Sequence, residues 1–319
     1  MFHHKDLKLT SSKDLAPIAL FVYNRPEHTR MTVEALARNS EASDSCLFVF
    51  SDGAKDSADR DLVKAVRSYL SQIQGFAEVN IIERETNWGL ANSIIDGVTC
   101  LNREYGRVIV LEDDLQTSPH FLSFINSALN LYQTDQRIGS VSGYMYPIQV
   151  CEQIFFRSVP QSWGWGTWER AWELMETDGV KLLKKLEQNE IAEQFNNAGH
   201  QPFIKMLKDQ IRGKNNSWYV RWSASLFMNK KLTVMPPQSL VRNFGIDGTG
   251  THCAYWRFNP YDVEIRNEQI TIPENGDVSA DQVVEKKLNR YFFKVRIIRY
   301  VNFVYRVLRL GSYQIRMKR

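Results

Sequence analysis

An apolar run of four residues, Val108-Ile109-Val110-Leu111, ends in three consecutive carboxylates, Glu112-Asp113-Asp114. The run is short, β-branched and free of polar residues, the pattern of a strand buried on both faces. Such a strand belongs inside a sheet with helices on each side, so this one segment points to a layered α/β chain. Acids at the tip of a buried strand reach the crevice where open α/β sheets bind ligands. Their oxygens suit hard divalent cations such as Mg²⁺ or Mn²⁺, which complete their shell with water and phosphate oxygens. One use of the arrangement is to hold a metal that neutralises a diphosphate. The plainer reading is that the acids cap a helix starting near Pro119, but Asp114 lies five residues before that proline and capping accounts for at most one acid.

The first half of the chain alternates strand-like and helix-like patterns. Ile18–Tyr23 is an apolar run ending in Asn24-Arg25-Pro26, and proline is tolerated in a helix's first turn, so Asn24 or Arg25 sits at a helix entry. Met31, Val33, Leu36 and Ala37 then read as a helix packing on the sheet. Leu47–Phe50 is a second strand ending in Ser51-Asp52-Gly53, and Leu62, Val66, Tyr69, Leu70 and Ile73 follow at helical spacing. A third strand, Val79–Ile82, leads to the loop Asn87-Trp88-Gly89-Leu90 and a helix through Ile94, Ile95 and Val98. Strand and helix in this rhythm imply a parallel sheet built by right-handed crossovers.

Several function classes are disfavoured. No Gly-x-Gly-x-x-Gly follows the first strand and no Gly-Lys-Ser/Thr P-loop occurs, which weighs against a dehydrogenase or a P-loop NTPase. With 43% hydrophobic and 24% charged residues among 319, the composition is that of a globular chain. The four cysteines are scattered without a CxxC pair, so neither a zinc site nor a disulfide framework is indicated. No signal-peptide core stands at the N-terminus and no run approaches the roughly 20 apolar residues of a membrane span, so the cytoplasm is the expected location.

After about Gly143 the rhythm changes. Trp163, Trp165, Trp168 and Trp172 place half of the eight tryptophans within ten residues. Helical segments follow at Val180–Glu187 and Phe203–Ile211, then Ser217-Trp218-Tyr219-Val220-Arg221-Trp222, a strand at Thr233–Met235, and a glycine-rich loop from Phe244 to His252.

In this order the motifs Phe21-Val22-Tyr23-Asn24-Arg25-Pro26, Phe50-Ser51-Asp52-Gly53, Leu111-Glu112-Asp113-Asp114-Leu115, Trp163-Gly164-Trp165 and the loop ending in His252 resemble the GT-A glycosyltransferases. Within that group the chain is similar to N-acetylglucosaminyltransferase I and its bacterial relatives of glycan assembly. The resemblance spans most of residues 17–255. It implies a Rossmann-like, mixed but mainly parallel sheet flanked by helices, and a transfer of sugar from a nucleotide-sugar donor, with UDP expected, to a glycan or lipid-linked glycan hydroxyl with inversion. Residues 17–143 would bind the donor and residues 144–270 the acceptor, with 1–16 and 271–319 as extensions. Asp114 is then the expected ligand of Mn²⁺ or Mg²⁺, Glu112 lies against the donor sugar, and Asp113 holds a nucleotide hydroxyl or a water of the metal's shell. Asp52 would accept from a uracil N–H or a ribose hydroxyl and Arg25 would face base or phosphates, roles that suit carboxylate and guanidinium. Taken alone, Asp52-Gly53 is an ordinary turn pair and Arg25 an ordinary exposed helix-start arginine.

Other assignments stay open between two readings. Asn92 is either a polar contact to the donor or loop structure, and His252 either part of a lid over the diphosphate or an exposed loop histidine. Trp163, Trp165 and Trp168 are either core or an acceptor platform, since indole faces stack on sugars. The general base is a gap, because relatives carry an acid beside the tryptophan that corresponds to Trp218 and this chain has Asn215-Asn216-Ser217 there. Asp209, Glu169 and Asp247 are the substitutes. A sugar-phosphate nucleotidyltransferase and a non-catalytic glycan-binding module are the alternatives.

The last 36 residues, from Val284, carry eleven Lys or Arg and one acid, Glu285, so a basic tail follows a mildly acidic body. Val284, Leu288, Tyr291, Val295 and Ile298 recur at helical spacing with Lys286, Lys287, Arg290 and Lys294 off that stripe. A basic amphipathic helix with aromatics reads as a membrane-surface element at the inner face of the cytoplasmic membrane. The competing reading is a helix packed back on the acidic body, or an oligomer contact. Nucleic acid is not expected, since the body is acidic and no recognition module is visible.

Overall fold

The structure is a computed structural model that describes residues 15–196, 201–246, 258–274 and 277–316, with side chains of the final helix described through Tyr305. The first half is β1 (Ile18–Val22), α1 (Pro26–Ala37), β2 (Cys46–Ser51), α2 (Arg60–Leu70), β3 (Glu78–Glu83), α3 (Leu90–Tyr105) and β4 (Arg107–Glu112), the alternation read from the sequence. Then come β5 (Leu115–Thr117), α4 (Phe121–Leu131), β6 (Ile138–Ser142), β7 (Phe155–Arg157), β8 (Trp165–Trp168), α5 (Glu169–Trp172), α6 (Gly179–Gln188), α7 (Ala192–Phe195), α8 (Phe203–Ile211), α9 (Trp218–Met228), β9 (Leu232–Met235), β10 (Val241–Asn243) and α10 (Gln282–Arg316).

Eight strands form one sheet in the order β3-β2-β1-β4-β8-β6-β9-β7, and β10 pairs with β5 in a small second sheet. Strands β1 to β4 are mutually parallel, β8 runs antiparallel between β4 and β6, β9 is parallel to β6, and β7 is antiparallel at the edge. The chain steps outward from β1 to β3 and then returns to place β4 on the other side of β1. That reversal opens a crevice at the carboxyl ends of β1 and β4, where ligands bind in open α/β sheets.

Alternation along the strands builds the layers. Ile18, Leu20 and Val22 of β1 and Ile109 and Leu111 of β4 share a cluster with Val33 and Leu36 of α1, Val66 and Leu70 of α2, and Ile125 and Leu129 of α4. Ala19, Phe21, Val108 and Val110 face the other way, onto Ile94, Val98 and Leu101 of α3 and Trp218 and Trp222 of α9. Each fully buried aliphatic side chain stabilises the fold by roughly 1.5–3 kcal/mol, so the run 108–111 is fixed from both sides. Helix α3 crosses Phe21 and Phe50, whose rings stack at 5.0 Å. It carries Gly97 at the crossing, where a Cβ would come within 2.9 Å of both rings. Gly106, at φ 74° in the left-handed region, ends α3 and turns the chain directly into β4.

The tryptophans divide. Trp165 is fully buried and stacks on Trp218 at 5.3 Å, with Trp172 and Trp222 tilted beside it. Trp168 is buried too, its Nε1 donating to the Leu129 carbonyl at 3.0 Å. Both are core, not the sugar platform entertained from sequence, because pairing of β8 with β4 and β6 puts them inside the helix layers.

The basic tail is also revised. Val284, Leu288, Tyr291, Phe292 and Val295 of α10 are buried against Met145, Val150, Phe155 and Met235. Glu285, the tail's one acid, pairs with buried Arg157 of β7 at 2.8 Å. The stripe read as membrane-facing is therefore the helix's inward face through Val295. No helix among the described residues is long and apolar enough to cross a membrane.

Candidate active site

The carboxyl end of β1 leads through Tyr23-Asn24 to Arg25, the N-cap of α1, with Pro26 at the helix's first position. Tyr23 Oη donates to Asp59 Oδ2 at 2.6 Å and Asn24 Nδ2 to Asp59 Oδ1 at 2.7 Å, which ties this corner to the start of α2. Arg25 reaches across the crevice to the end of β4. One terminal nitrogen donates to Asp113 Oδ1 and, at 3.0 Å, to Asp114 Oδ2, and Nε lies 3.4 Å from Asp113 Oδ2. Its Nη1 is buried and makes no hydrogen bond.

The backbone that presents the acids is held by α1 and β10. Thr32 Oγ1 donates to the Asp113 carbonyl at 2.8 Å and accepts from the Leu115 N–H at 3.1 Å. Phe244 N donates to the Asp114 carbonyl at 3.0 Å, and Asn243 Nδ2 approaches Asp114 Oδ1 at 3.3 Å. Gly245 lies so close that a Cβ there would fall 2.1 Å from Asp114 Oδ2. Asn243 and Thr32 were not singled out from the sequence. A contact 129 residues away in the chain leaves no local pattern.

Asp113 and Asp114 are buried, at 4% and 6% exposure. Burial raises the Glu112 carboxyl well above the usual range, with the Asp114 and Asp113 charges adding to it. Burial raises Asp113 as well, against the pull of Arg25. Burial alone would lower the Arg25 guanidinium, but Asp113 and Asp114 overcome it and hold the charge. Two buried aspartates bridged by one guanidinium, with the Glu112 carboxyl next in the chain, make a pocket rich in acidic groups.

Asp52 lies at the end of β2, and its carboxylate is fully engaged by the next crossover. Oδ1 accepts from the Gly53 and Trp88 N–H groups at 2.9 and 2.8 Å, and Oδ2 from Gly89 N at 2.8 Å and Asn87 Nδ2 at 3.1 Å. It thus fixes the loop that opens α3. Gly53 has no room for a side chain, since a Cβ would meet the Thr86 backbone at 2.5 Å. Asn92 Nδ2 turns back to the Trp88 carbonyl at 2.9 Å. The Trp88 indole is partly exposed and lies over Arg84 at 3.9 Å. Asp52→Ala is expected to leave Trp88, Gly89 and Gly53 N–H groups without an acceptor and to cost roughly 2 kcal/mol. A lower thermal midpoint with faster amide exchange across residues 86–92 checks this, and unchanged exchange there would contradict it.

The remaining candidates scatter. Trp163 sits at the same edge as the acids, because Trp165 of β8 pairs with Val110 of β4. Its ring meets Tyr144 edge-on at 4.6 Å and Tyr261 at 6.1 Å. Glu169 lies at the opposite end of the sheet, since its N–H bonds the Gly106 carbonyl and Trp168 pairs with Arg107. At about 3.3 Å per residue, β4 separates it from Glu112 by on the order of 17 Å. Asp209 is on α8, its carboxylate bonded by Lys205 at 2.5 Å and held below the usual range by that bond. Asp247 and His252 lie outside the described residues. Of the acids considered as catalytic, Glu112 is the one that the described structure places beside Asp113 and Asp114.

A crevice at a strand-order reversal, with a guanidinium clamped by paired aspartates, calls for comparison with known proteins. Residues 2–146 match the GNT-I family. That match takes in the carboxylate-bearing half of the chain, somewhat under half of its length, and this half is similar to the GNT-I family. No curated protein matches the sequence. Similar solved structures include the mannosyltransferase PcManGT from Pyrobaculum calidifontis in complex with GDP-Man and Mn²⁺, at 12% identity over 57% of this chain and 49% of that one, with a TM-score of 0.35. Glucosyl-3-phosphoglycerate synthase from Mycobacterium tuberculosis, with Mn²⁺, UDP and glucosyl-3-phosphoglycerate, is 15% identical over 59% of this chain and 72% of that one, with a TM-score of 0.32. The chain spans about half the length of the first of these.

The donor set of this crevice fits a hard divalent cation. It offers the buried carboxylate oxygens of Asp113 and Asp114, the oxygen ligands such an ion prefers. Among the described residues no three His, Cys, Asp or Glu side chains converge to hold a metal by themselves. Such an ion would draw its other ligands from water and phosphate, as Mg²⁺ commonly does.

Proposed function

We propose that the protein is a metal-dependent glycosyltransferase that moves a sugar from a nucleotide-sugar donor, UDP-linked by preference, to a hydroxyl of a glycan or lipid-linked glycan, with inversion, in bacterial surface polysaccharide assembly. The observation that carries this reading is the Arg25 bridge to Asp113 and Asp114 at the reversal between β1 and β4. A guanidinium is a natural partner for phosphate, and its unpartnered Nη1 leaves a donor for one. Asp114 would hold Mn²⁺ or Mg²⁺ with Asp113 beside it, and the ion would supply Lewis-acid stabilisation of the departing diphosphate. Arg25 neutralises the acids and positions phosphate oxygens, Asp52 keeps the α3 loop closed against the crevice, and half-buried Trp163 and Tyr261 offer aromatic surface on the acceptor side, with buried Tyr144 behind Trp163.

Glu112 would be the carboxylate that faces the donor sugar, and the burial that raises its affinity for protons suits a group that takes one from an acceptor hydroxyl. Calorimetric titration of UDP and GDP with Mn²⁺ and then with EDTA tests the reading. Metal-dependent binding of UDP is the expected result. Binding of UDP that is indifferent to EDTA would remove the metal, and binding of neither nucleotide would remove the donor class.

A further inference from the structure

Helix α10 is apolar on two sides. Its inward side is occupied, with Val284, Leu288 and Val295 in the core and Asn302 exchanging hydrogen bonds with the Phe258 backbone at 2.9 and 3.2 Å. Arg299 reaches Tyr261 Oη at 2.6 Å, so the rotation of the helix about its axis is fixed at least to Asn302. The opposite side therefore points outward, and it carries Phe293, Ile297 and Tyr300 at exposures of 55%, 51% and 68%. These lie at i, i+4 and i+7, one continuous stripe along the helix. Three large apolar side chains in a row on one exposed face are unusual on a monomer's surface and mark an interaction site. Lys286 and Arg290 continue the same side toward the helix start, Lys294 and Arg296 flank it, and all four are exposed.

We infer that this outward face beds on an anionic lipid bilayer, with Phe293, Ile297 and Tyr300 entering the headgroup boundary and the surrounding cations meeting lipid phosphates. The charge argues for lipid rather than protein. The chain from Val284 onward has a single acid, and Glu285 is already spent on Arg157 inside the fold. An apolar stripe rimmed by cations on a strongly basic helix is the composition of an in-plane interfacial helix. The face differs from the stripe that the sequence alone offered, because that stripe is the one the core consumes. Binding here needs no sugar donor, so it stands or falls apart from the proposed transferase activity.

Flotation of the full chain with vesicles of phosphatidylcholine alone, and with phosphatidylglycerol added, tests this. The protein is expected to float with the anionic vesicles, to stay behind with the neutral ones, and to be released by molar salt. The combined Phe293→Ser, Ile297→Ser and Tyr300→Ser variant should keep its thermal midpoint, since these side chains are exposed, and lose vesicle binding. The combined Lys286→Ser, Arg290→Ser and Lys294→Ser variant should bind anionic vesicles roughly 100-fold more weakly, at the strength of one near-surface cation each. Equal binding to neutral vesicles, or undiminished binding by the serine-stripe variant, would overturn the inference. So would absence of vesicle binding together with self-association, by sedimentation velocity, that the stripe variant abolishes.

Discussion

Arg25→Ala is expected to destabilise the protein by about 3 kcal/mol or more at neutral pH, the usual cost of leaving a buried ion-pair partner uncompensated. Arg25 is the cation that faces Asp113 and Asp114 in the crevice, and both carboxylates are buried. The effect should depend on pH in a definite direction. Burial already raises the Asp113 carboxyl against the pull of Arg25, so without Arg25 the folded protein holds that acid with a pKa further above its value in the unfolded chain and binds more protons than the unfolded chain does. Stability then falls as pH rises from the unfolded carboxylate range through the raised folded values. The variant should therefore lie nearer to the wild type at acidic pH than at alkaline pH. Mn²⁺ should recover part of the loss at neutral pH, because an ion bound by the folded state alone stabilises it by mass action. Thermal midpoints across pH, with and without Mn²⁺, measure all of this. A variant as stable as the wild type at alkaline pH would show that the bridge carries no stabilising charge.

Asp114→Ala is expected to weaken Mn²⁺-dependent UDP binding by more than ~100-fold, beyond the 10–100-fold typical of losing a group that merely supports a metal ligand. Asn243 and Arg25 each lose a partner as well, but removing a buried acid from a site with excess negative charge relieves repulsion. The variant should therefore fold, with a thermal midpoint near the wild-type value in EDTA. Calorimetry on the variant gives the answer. Undiminished metal-dependent affinity would move the ion away from Asp114 and remove the basis of the donor-site assignment.

Much of the first half was legible because the signals there are local. The run Val108–Leu111 appears as a strand extended by one residue at each end. Pro26 starts α1 where proline chemistry puts it, and the crossovers alternate as the periodicity implied. The adjacency of Arg25 to the acids was legible in part, since both sit at strand ends, but the direct bridge was not. The tryptophan cluster misled because a large aromatic side chain looks alike in sequence whether it fills a core or lines a cleft. Pairing of β8 between β4 and β6 decided that Trp165 is interior and left Trp163 at the edge. Glu169 failed as a base for the same reason. It follows Trp168 in sequence, but an antiparallel strand carries the chain away from the carboxyl edge as it proceeds.

The tail shows the same division. Its sequence determined a basic helix with one apolar stripe, Val284 to Ile298, because helical periodicity and charge are properties of consecutive residues. Which side is buried depends on what else is there. Met145, Val150, Phe155 and Met235 come from three distant segments and meet Val284, Leu288 and Val295 once the sheet has assembled. By itself the sequence determined the layered α/β architecture, the strand that presents Glu112-Asp113-Asp114, and the acids' suitability for a hard cation. The tertiary structure alone decided that Arg25 neutralises those acids, that Asp52 serves the α3 loop, and that α10 turns Phe293, Ile297 and Tyr300 to solvent. The physical reason is that strand and helix periodicity follow from local backbone geometry, whereas burial and ion pairing depend on groups brought together from far apart in the chain.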